Sequence, residues 1–235
     1  MSTAAPTWLD LPCVGFDLET TGRDPRTALV VTAALIIVNG RGEELQRREW
    51  LVDPGVEIPQ QASDVHGITT AKARAEGIPA AQAIAEISQA LDELVEAELP
   101  LVAFNGAYDF TVMAHERQRH GITGRAPRPV IDPFILQKHV DKYRKGKKTL
   151  TALCESYGIS LENAHTAADD ALAAVHLARA LGTKFPAIRM GAAELHDAQV
   201  GWAKAQAADF QEYKRRTDPS ATIEGGWPTY GGSPA

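Results

Sequence analysis

The sequence predicts an α/β protein, a five-stranded mixed sheet flanked by helices. Three observations lead there. Three runs of strand character crowd into the first 52 residues, a hairpin signal joins two of them, and from residue 79 onward helical patterns alternate with short apolar runs. Cys13 to Leu18 is a short apolar run, Leu29 to Val38 is β-branched and nearly continuous, and Glu44 to Val52 alternates loosely. Asn39-Gly40-Arg41-Gly42 between the last two marks a turn, so these strands are expected to be antiparallel neighbours. Pro79 to Ala97 reads as a helix with Ile84, Ile87, Leu91, Leu94 and Val95 on one face. Leu99 to Phe104 is a buried strand ending at Asn105-Gly106, and Tyr108 to His120 is helical. Val130-Ile131 is a short fifth strand. Pro133 to Val140, Thr149 to Tyr157 and the alanine-rich Thr166 to Leu181 are helices. Past Gly182 the composition shifts. Residues 1–182 are expected to form the main domain, and residues 183–235 a C-terminal helix, Met190 to Arg216, with a flexible tail rich in Gly, Pro, Ser and Thr. The aromatic residues of this region, Trp202, Phe210, Tyr213, Trp227 and Tyr230, are expected to dock on the domain.

Apolar residues make up 44% of the 235 and charged residues 23%, which excludes a disordered, collagenous or coiled-coil chain. The longest apolar stretch, Ala28 to Val38, is too short for the roughly 18 to 20 residues of a membrane span, and Met1 to Leu11 lacks a secretory pattern. Cys13 and Cys154 lie far apart with no C-x-x-C pair, which argues against a disulfide framework or a cysteine-ligated zinc and fits a reducing interior. A cytoplasmic protein is expected, with no membrane partner. The net charge is -6, yet from Arg117 to Lys148 ten basic residues face only Asp132 and Asp141, so that belt carries 10 − 2 = +8. Such a belt beside acidic surroundings suits a protein that attracts a polyanion to one face and holds cations at another; a solvated lysine-rich loop is the plainer reading of Lys138 to Lys148.

Phe16-Asp17-Leu18-Glu19-Thr20-Thr21-Gly22 is the sharpest segment. Side chains two apart on a strand share a face, so Asp17 and Glu19 point one way, about 7 Å apart, while Phe16 and Leu18 point into the opposite layer. Two carboxylates at a core strand end repel unless something positive sits between them, and a divalent cation is the usual answer. Asp109 falls in the first turn of the helix after Asn105-Gly106, where α/β sheets place ligand sites; taken alone, an acid there is accounted for by the positive end of the helix dipole. In His165-Thr166-Ala167-Ala168-Asp169-Asp170, Thr166 and Asp169 approximate a capping box, which makes His165 the N′ residue and Asp170 the N4 residue, neighbours in space. One helix start can therefore present an imidazole and a carboxylate together, although a capping histidine with no further role also fits.

The ordered motifs FDLETTG, HGIT, NGAYDF and HTAADDA resemble the DEDDh 3′–5′ exonucleases, and more narrowly the proofreading epsilon subunits of bacterial DNA polymerase III and their stand-alone relatives, from about Cys13 to Leu181. The resemblance implies a ribonuclease H-like fold, with residues 1–182 as the exonuclease domain. It implies Asp17, Glu19, Asp109 and Asp170 as metal-binding carboxylates and His165 as general base. An all-carboxylate site without cysteine suits two Mg2+ or Mn2+ ions. It also implies that Leu18, Thr20, Thr21 and Asn105 meet the terminal nucleotide; Arg144, Lys145, Lys147 and Lys148 are expected to track a single-stranded 3′ end of DNA. Tyr108 stands where many members carry Phe, and no consequence is expected. An exoribonuclease of the same superfamily, acting on RNA ends or short oligoribonucleotides, is the nearest alternative, and a noncatalytic module binding nucleic acid or a polymerase is a second. For the aromatic residues past Gly182, contact with a polymerase or with nucleic acid is the alternative to docking. His115 and His120 are spaced H-E-x-x-x-H, about 140° apart on a helix, and cannot share one zinc face. No Walker loop, dinucleotide fingerprint or G-x-S-x-G elbow is present. His66 is expected to close a turn before a helix, and His139, His176 and His196 to lie on solvated helical faces.

Overall fold

The computed structural model describes residues 6–161 and 165–231. Its strands are β1 (Cys13–Thr20), β2 (Val30–Val38), β3 (Glu44–Asp53), β4 (Ile78–Pro79), β5 (Leu101–Val102) and β6 (Val130–Ile131). Its helices are α1 (Gln60–His66), α2 (Thr70–Glu76), α3 (Ala80–Glu96), α4 (Ala107–Arg119), α5 (Pro133–Val140), α6 (Leu150–Ser156), α7 (Ala167–Lys184) and α8 (Ala192–Arg215). They form one mixed sheet in the order β4-β3-β2-β1-β5-β6. The β1–β2 and β2–β3 pairs are antiparallel, and β1–β5, β5–β6 and β3–β4 are parallel. Six strands rather than five correct the expected count. The extra one is the two-residue β4 beside Val52 and Asp53, and its Pro79, which has no N–H to give a further neighbour, is tolerated because β4 is an edge.

Each face of the sheet carries its own core. Phe16, Leu35, Ile84, Ile87 and Phe110 fill the side under α3 and α4, where Phe16 stacks on Phe110 at 5.4 Å between ring centroids. Ile36, Val102, Ile131, Leu136 and the alanine-rich face of α7 fill the other. The alternation read from β1 therefore holds: Phe16 and Leu18 join the α3/α4 side, which turns Gly15, Asp17 and Glu19 toward α7. Helix α7 lies close because the residues at its contact are small. A Cβ built on Gly15 would stand 2.5 Å from the carbonyl oxygen of Ala171, so only glycine fits there.

Past Gly182 the chain stays on the domain. On α8, His196 accepts the N–H of Val130 and Gln199 bonds both Asp132 N–H and Val130 C=O, tying α8 to β6. Residues 217–231 do not leave the surface as the expected flexible tail would: Trp227 is buried, and the N–H of Tyr230 bonds the Thr111 hydroxyl at 2.8 Å. His196 is buried, His139 stacks on Trp202 at 3.7 Å, and His176 Nε2 lies 3.2 Å from Gly42 C=O, so none of the three simply faces solvent. His66 ends α1 before a left-handed Gly67, with α2 beginning at Thr70. None of the helices among the described residues is long and apolar enough to cross a membrane.

Candidate active site

The carboxyl ends of β1 and β5 open between α4 and α7, the position where α/β sheets place ligands. Asp17 and Glu19 come from β1, Asp109 from the first turn of α4 and Asp170 from the first turn of α7. Carboxylate oxygens of Asp17, Glu19 and Asp170 all lie within 4.8 Å of one another. Asp109 sits behind them, 4% exposed, with its Oδ1 accepting the Leu18 N–H at 3.2 Å. The β1–β2 register shifts between Glu19 and Thr20, and an irregularity at this point re-aims the strand end that carries Glu19.

Packing four acids here shifts their ionisation. Burial, followed by the charges of Asp109, Glu19 and Asp170, holds Asp17 well above the usual carboxylate range. Burial and then the charge of Asp170 push Glu19 up to about 8. Asp109 is raised by burial despite the backbone N–H groups that favour its charged form, and Asp170 is raised by burial as well. The buried Oδ1 of Asp170 has no hydrogen-bond partner among the described residues. Clustered oxygen donors, mutual repulsion and an orphaned buried acceptor together fit a hard divalent cation.

Thr166 caps α7: its hydroxyl accepts the Asp169 N–H at 3.3 Å and lies 3.0 Å from Asp169 Oδ2. His165 precedes it at φ 73 and donates its backbone N–H to Asp170 Oδ2 at 3.3 Å, leaving an exposed side chain. The N′–N4 neighbourhood read from the sequence is thus present through the backbone. Thr20 and Tyr108 contribute more than expected. The Tyr108 hydroxyl bonds Gly22 C=O and the Thr20 hydroxyl, each at 2.5 Å, and joins the start of α4 to the turn after β1. The expectation that tyrosine here has no consequence is therefore corrected, because phenylalanine could not make these bonds. Thr21 pairs with Leu29 through backbone and side chain.

Sequence patterning passes over Asp132, although Asp132-Pro133 is the signature of an N-cap followed by proline at N1. Asp132 is 1% exposed and accepts the N–H groups of Asn105, Gly106 and Phe134 and, at 3.3 Å, the indole N–H of Trp227. It fixes the Asn105-Gly106 turn, with Asn105 at φ 58, from which α4 and Asp109 start. Burial pushes it up to about 6.

Much of the basic belt is neutralised locally. Arg117 pairs with Asp92, Arg119 with Glu116, Arg125 with Glu96, Arg128 with Asp197 and Lys142 with Asp209. Arg144 braces its own loop through Lys147 C=O, Ala152 C=O and the Ser156 hydroxyl. Lys145 and Lys147 are exposed. Arg144 and Lys148 line a groove of about 1260 Å³ that also reaches Asn105.

A mixed sheet flanked by helices, with clustered acids at the ends of β1 and β5, defines an exonuclease-type nuclease domain. Residues 14–178 match the exonuclease family of RNase T type, more than half of the chain, and the chain belongs to that family of phosphodiester hydrolases. Among curated relatives, a DNA polymerase III subunit epsilon-like protein of Rhodobacter capsulatus is 36% identical over 178 residues, 73% of this chain and 24% of that one. A PolC-type DNA polymerase III of Clostridium perfringens is 30% identical over 164 residues, 70% of this chain and 11% of that one. The chain thus spans a quarter or less of these relatives. Exonuclease I of E. coli in complex with a dA16 oligonucleotide shares the fold at a TM-score of 0.64 and 19% identity, over 80% of this chain and 42% of that one. Exonuclease I of Methylocaldum szegediense does so at 0.60 and 19%, over 86% and 46%. The family expected from the motifs is the family found, and α8 with the segment after it lies past the matched residues.

Proposed function

We propose that this chain releases nucleoside monophosphates from the 3′ end of single-stranded DNA, in proofreading or repair in the cytoplasm. The observation that carries this reading is the convergence of Asp17, Glu19 and Asp170 within 4.8 Å, with Asp109 buried behind them. These four carboxylates would hold two Mg2+ or Mn2+ ions. Bound there, such a pair supplies charge neutralisation at the phosphate oxygens and acidifies the attacking water. His165, neutral, takes the water's proton as its oxygen bonds to phosphorus. The bond from phosphorus to the 3′ oxygen of the penultimate nucleotide breaks, and that oxygen leaves with a proton from solvent. His165 stands exposed just before the capped start of α7, with its backbone at φ 73. The 3′-terminal nucleotide lies against the backbone of Leu18, Thr20 and Thr21 and beside Asn105.

DNA is chosen over RNA because the related exonuclease I structures hold dA16 and dT13 and the Rhodobacter relative is named for a DNA polymerase subunit; a polymerase is the corresponding partner. The test is digestion of 5′-labelled DNA and RNA oligonucleotides, matched or mismatched at the 3′ end, with magnesium, manganese or EDTA. The reading expects a metal-dependent ladder shortening one nucleotide at a time on DNA, lost in Asp17→Asn. A ladder on RNA alone would reassign the enzyme to exoribonucleases, and no ladder in any metal would make it a noncatalytic binding module.

A further inference from the structure

The groove beside the site has two unlike walls. One is α5 with the loop after it, carrying Lys138, Lys142, Arg144 and Lys148; the other is α8 with residues 223–230. On α8, Phe210 and Tyr213 are 45% and 61% exposed and stack on each other at 6.3 Å, and both line the groove. Exposed aromatic pairs are unfavourable in water unless something covers them. The acids along the groove are already engaged: Asp209 with Lys142, Glu224 with Arg26, and Asp132 in its four hydrogen bonds. Lys138 lies over the Phe134 ring at 4.6 Å, and neither it nor Lys148 has an ion pair among the described residues. Burial and then the charge of Lys148 hold Lys138 below the usual lysine range, a strain that an anion between them would relieve. At one end the groove reaches Asn105, four residues before Asp109.

We infer that this groove is a track for single-stranded DNA upstream of the 3′ end, in which Phe210 and Tyr213 stack bases and Lys138 and Lys148 neutralise phosphates. An anionic chain of stackable rings is the occupant that satisfies both walls at once, since flat faces and unpaired ammonium groups are the general design for sequence-tolerant binding of single strands. Lys214 and Arg216 lie over the two rings at 5.6 and 6.0 Å; an acidic peptide would use the lysines and offer no flat group to stack on the exposed ring surface. The aromatic wall of the track lies on α8, past the matched family segment, and is an addition to the nuclease core, whereas Lys138 and Lys148 lie within that segment. It rests on the proposed exonuclease reading for its polarity, with the 3′ end at Asn105.

The test is anisotropy titration of the full chain with fluorescein-labelled dT4 and dT16 in EDTA, at several salt concentrations. Wild type is expected to bind dT16 at least tenfold tighter than dT4. The double variant Phe210→Ala, Tyr213→Ala is expected to lose at least tenfold in dT16 affinity, given about 1–3 kcal/mol per stacked base. Lys138→Gln with Lys148→Gln is expected to lower the salt slope by about 1.4, about 0.7 per phosphate on a single strand; should the aromatic variant melt early, this pair decides. Wild-type binding without a length advantage, or both double variants within twofold of wild type, would overturn the track. Hydrolysis of thymidine 5′-monophosphate p-nitrophenyl ester, too short to enter the groove, separates the two readings in the wild type. Turnover of the ester with no length advantage overturns the track and leaves the exonuclease. A length advantage that the variants abolish, without turnover in any metal, upholds the track and overturns the exonuclease.

Discussion

Gly15 and Ala171 meet backbone to backbone: a Cβ on Gly15 would stand 2.5 Å from the Ala171 carbonyl oxygen and 2.8 Å from its carbon. Asp17 is two residues along β1 from this contact and Asp170 is next to it on α7, so the closeness of strand and helix sets the spacing of the carboxylates. Gly15→Ala has to push α7 outward or distort β1. It is expected to destabilise the protein by about 1–3 kcal/mol, a fall of roughly 2–12 °C in Tm for a chain of this size, and to lower nuclease activity more than tenfold by widening the acidic cluster. Differential scanning calorimetry and a single-turnover assay check both, and a variant with wild-type Tm and rate would show that the contact sets nothing.

The acids make a pH prediction for the metal-free protein. Glu19, at about 8, and Asp17 and Asp109, held well above the usual range, keep protons in the folded state that the unfolded chain gives up. Their stabilising contribution is present at low pH and lost as pH rises through those values, at up to about 1.4 kcal/mol per pH unit for each group. His66, His139 and His196 are depressed by burial and act in the opposite sense, but only as pH falls below the usual imidazole range. From pH 7 to 9 the Tm in EDTA is therefore expected to fall, less steeply in Glu19→Gln, and to flatten when magnesium is added. A Tm that rises over this interval, or a slope unchanged in Glu19→Gln, contradicts the proposed electrostatics.

His165 can withdraw a proton only while neutral. Activity of the wild type is expected to drop on the acid side, and His165→Ala is expected to lose about 10²–10⁴-fold in kcat together with that acid limb. Rates across pH 5 to 9 at saturating magnesium test this; a variant that keeps both the rate and the limb would remove His165 from the chemistry.

Asp132 holds four N–H groups in a buried place, and its loss reaches Asp109 through the Asn105-Gly106 turn. Asp132→Ala leaves those donors without an acceptor, expected to destabilise by about 3 kcal/mol or more, roughly 6–12 °C in Tm. Asp132→Asn, which keeps an acceptor oxygen, is expected to lose less. Equal melting of Asp132→Ala and wild type would mean that solvent or backbone movement replaces the carboxylate.

Local patterning made most of this legible. The period-two alternation of β1 assigned Asp17 and Glu19 to one face, and the capping box at Thr166 foretold that His165 and Asp170 would be neighbours. The Asn39–Gly42 turn gave the β2–β3 pairing. What stayed hidden depends on contacts far apart in sequence. The Asp132 network joins residues 105, 106, 134 and 227, and the ion pairs that neutralise Arg117, Arg128 and Lys142 come from α3 and α8. The docking of residues 217–231 rests on the buried Trp227 indole and its bond to Asp132, the Arg26–Glu224 ion pair, and the backbone bonds of Ile223 to Gln211 and Tyr230 to Thr111, none of which has a periodic signature. Composition reads that segment as a tail because glycine and proline serve extended packed chain as readily as loose chain, whereas the docking expected of its aromatic residues is met at Trp227 and Tyr230.

The central claim is that Asp17, Glu19, Asp109 and Asp170 jointly hold divalent cations at the ends of β1 and β5. Anomalous diffraction from manganese-soaked crystals, recorded at the manganese edge, measures this directly. The account predicts two strong peaks bounded by these four carboxylates, both absent from Asp17→Asn crystals; manganese bound elsewhere, with this cluster empty at saturating concentration, would contradict it.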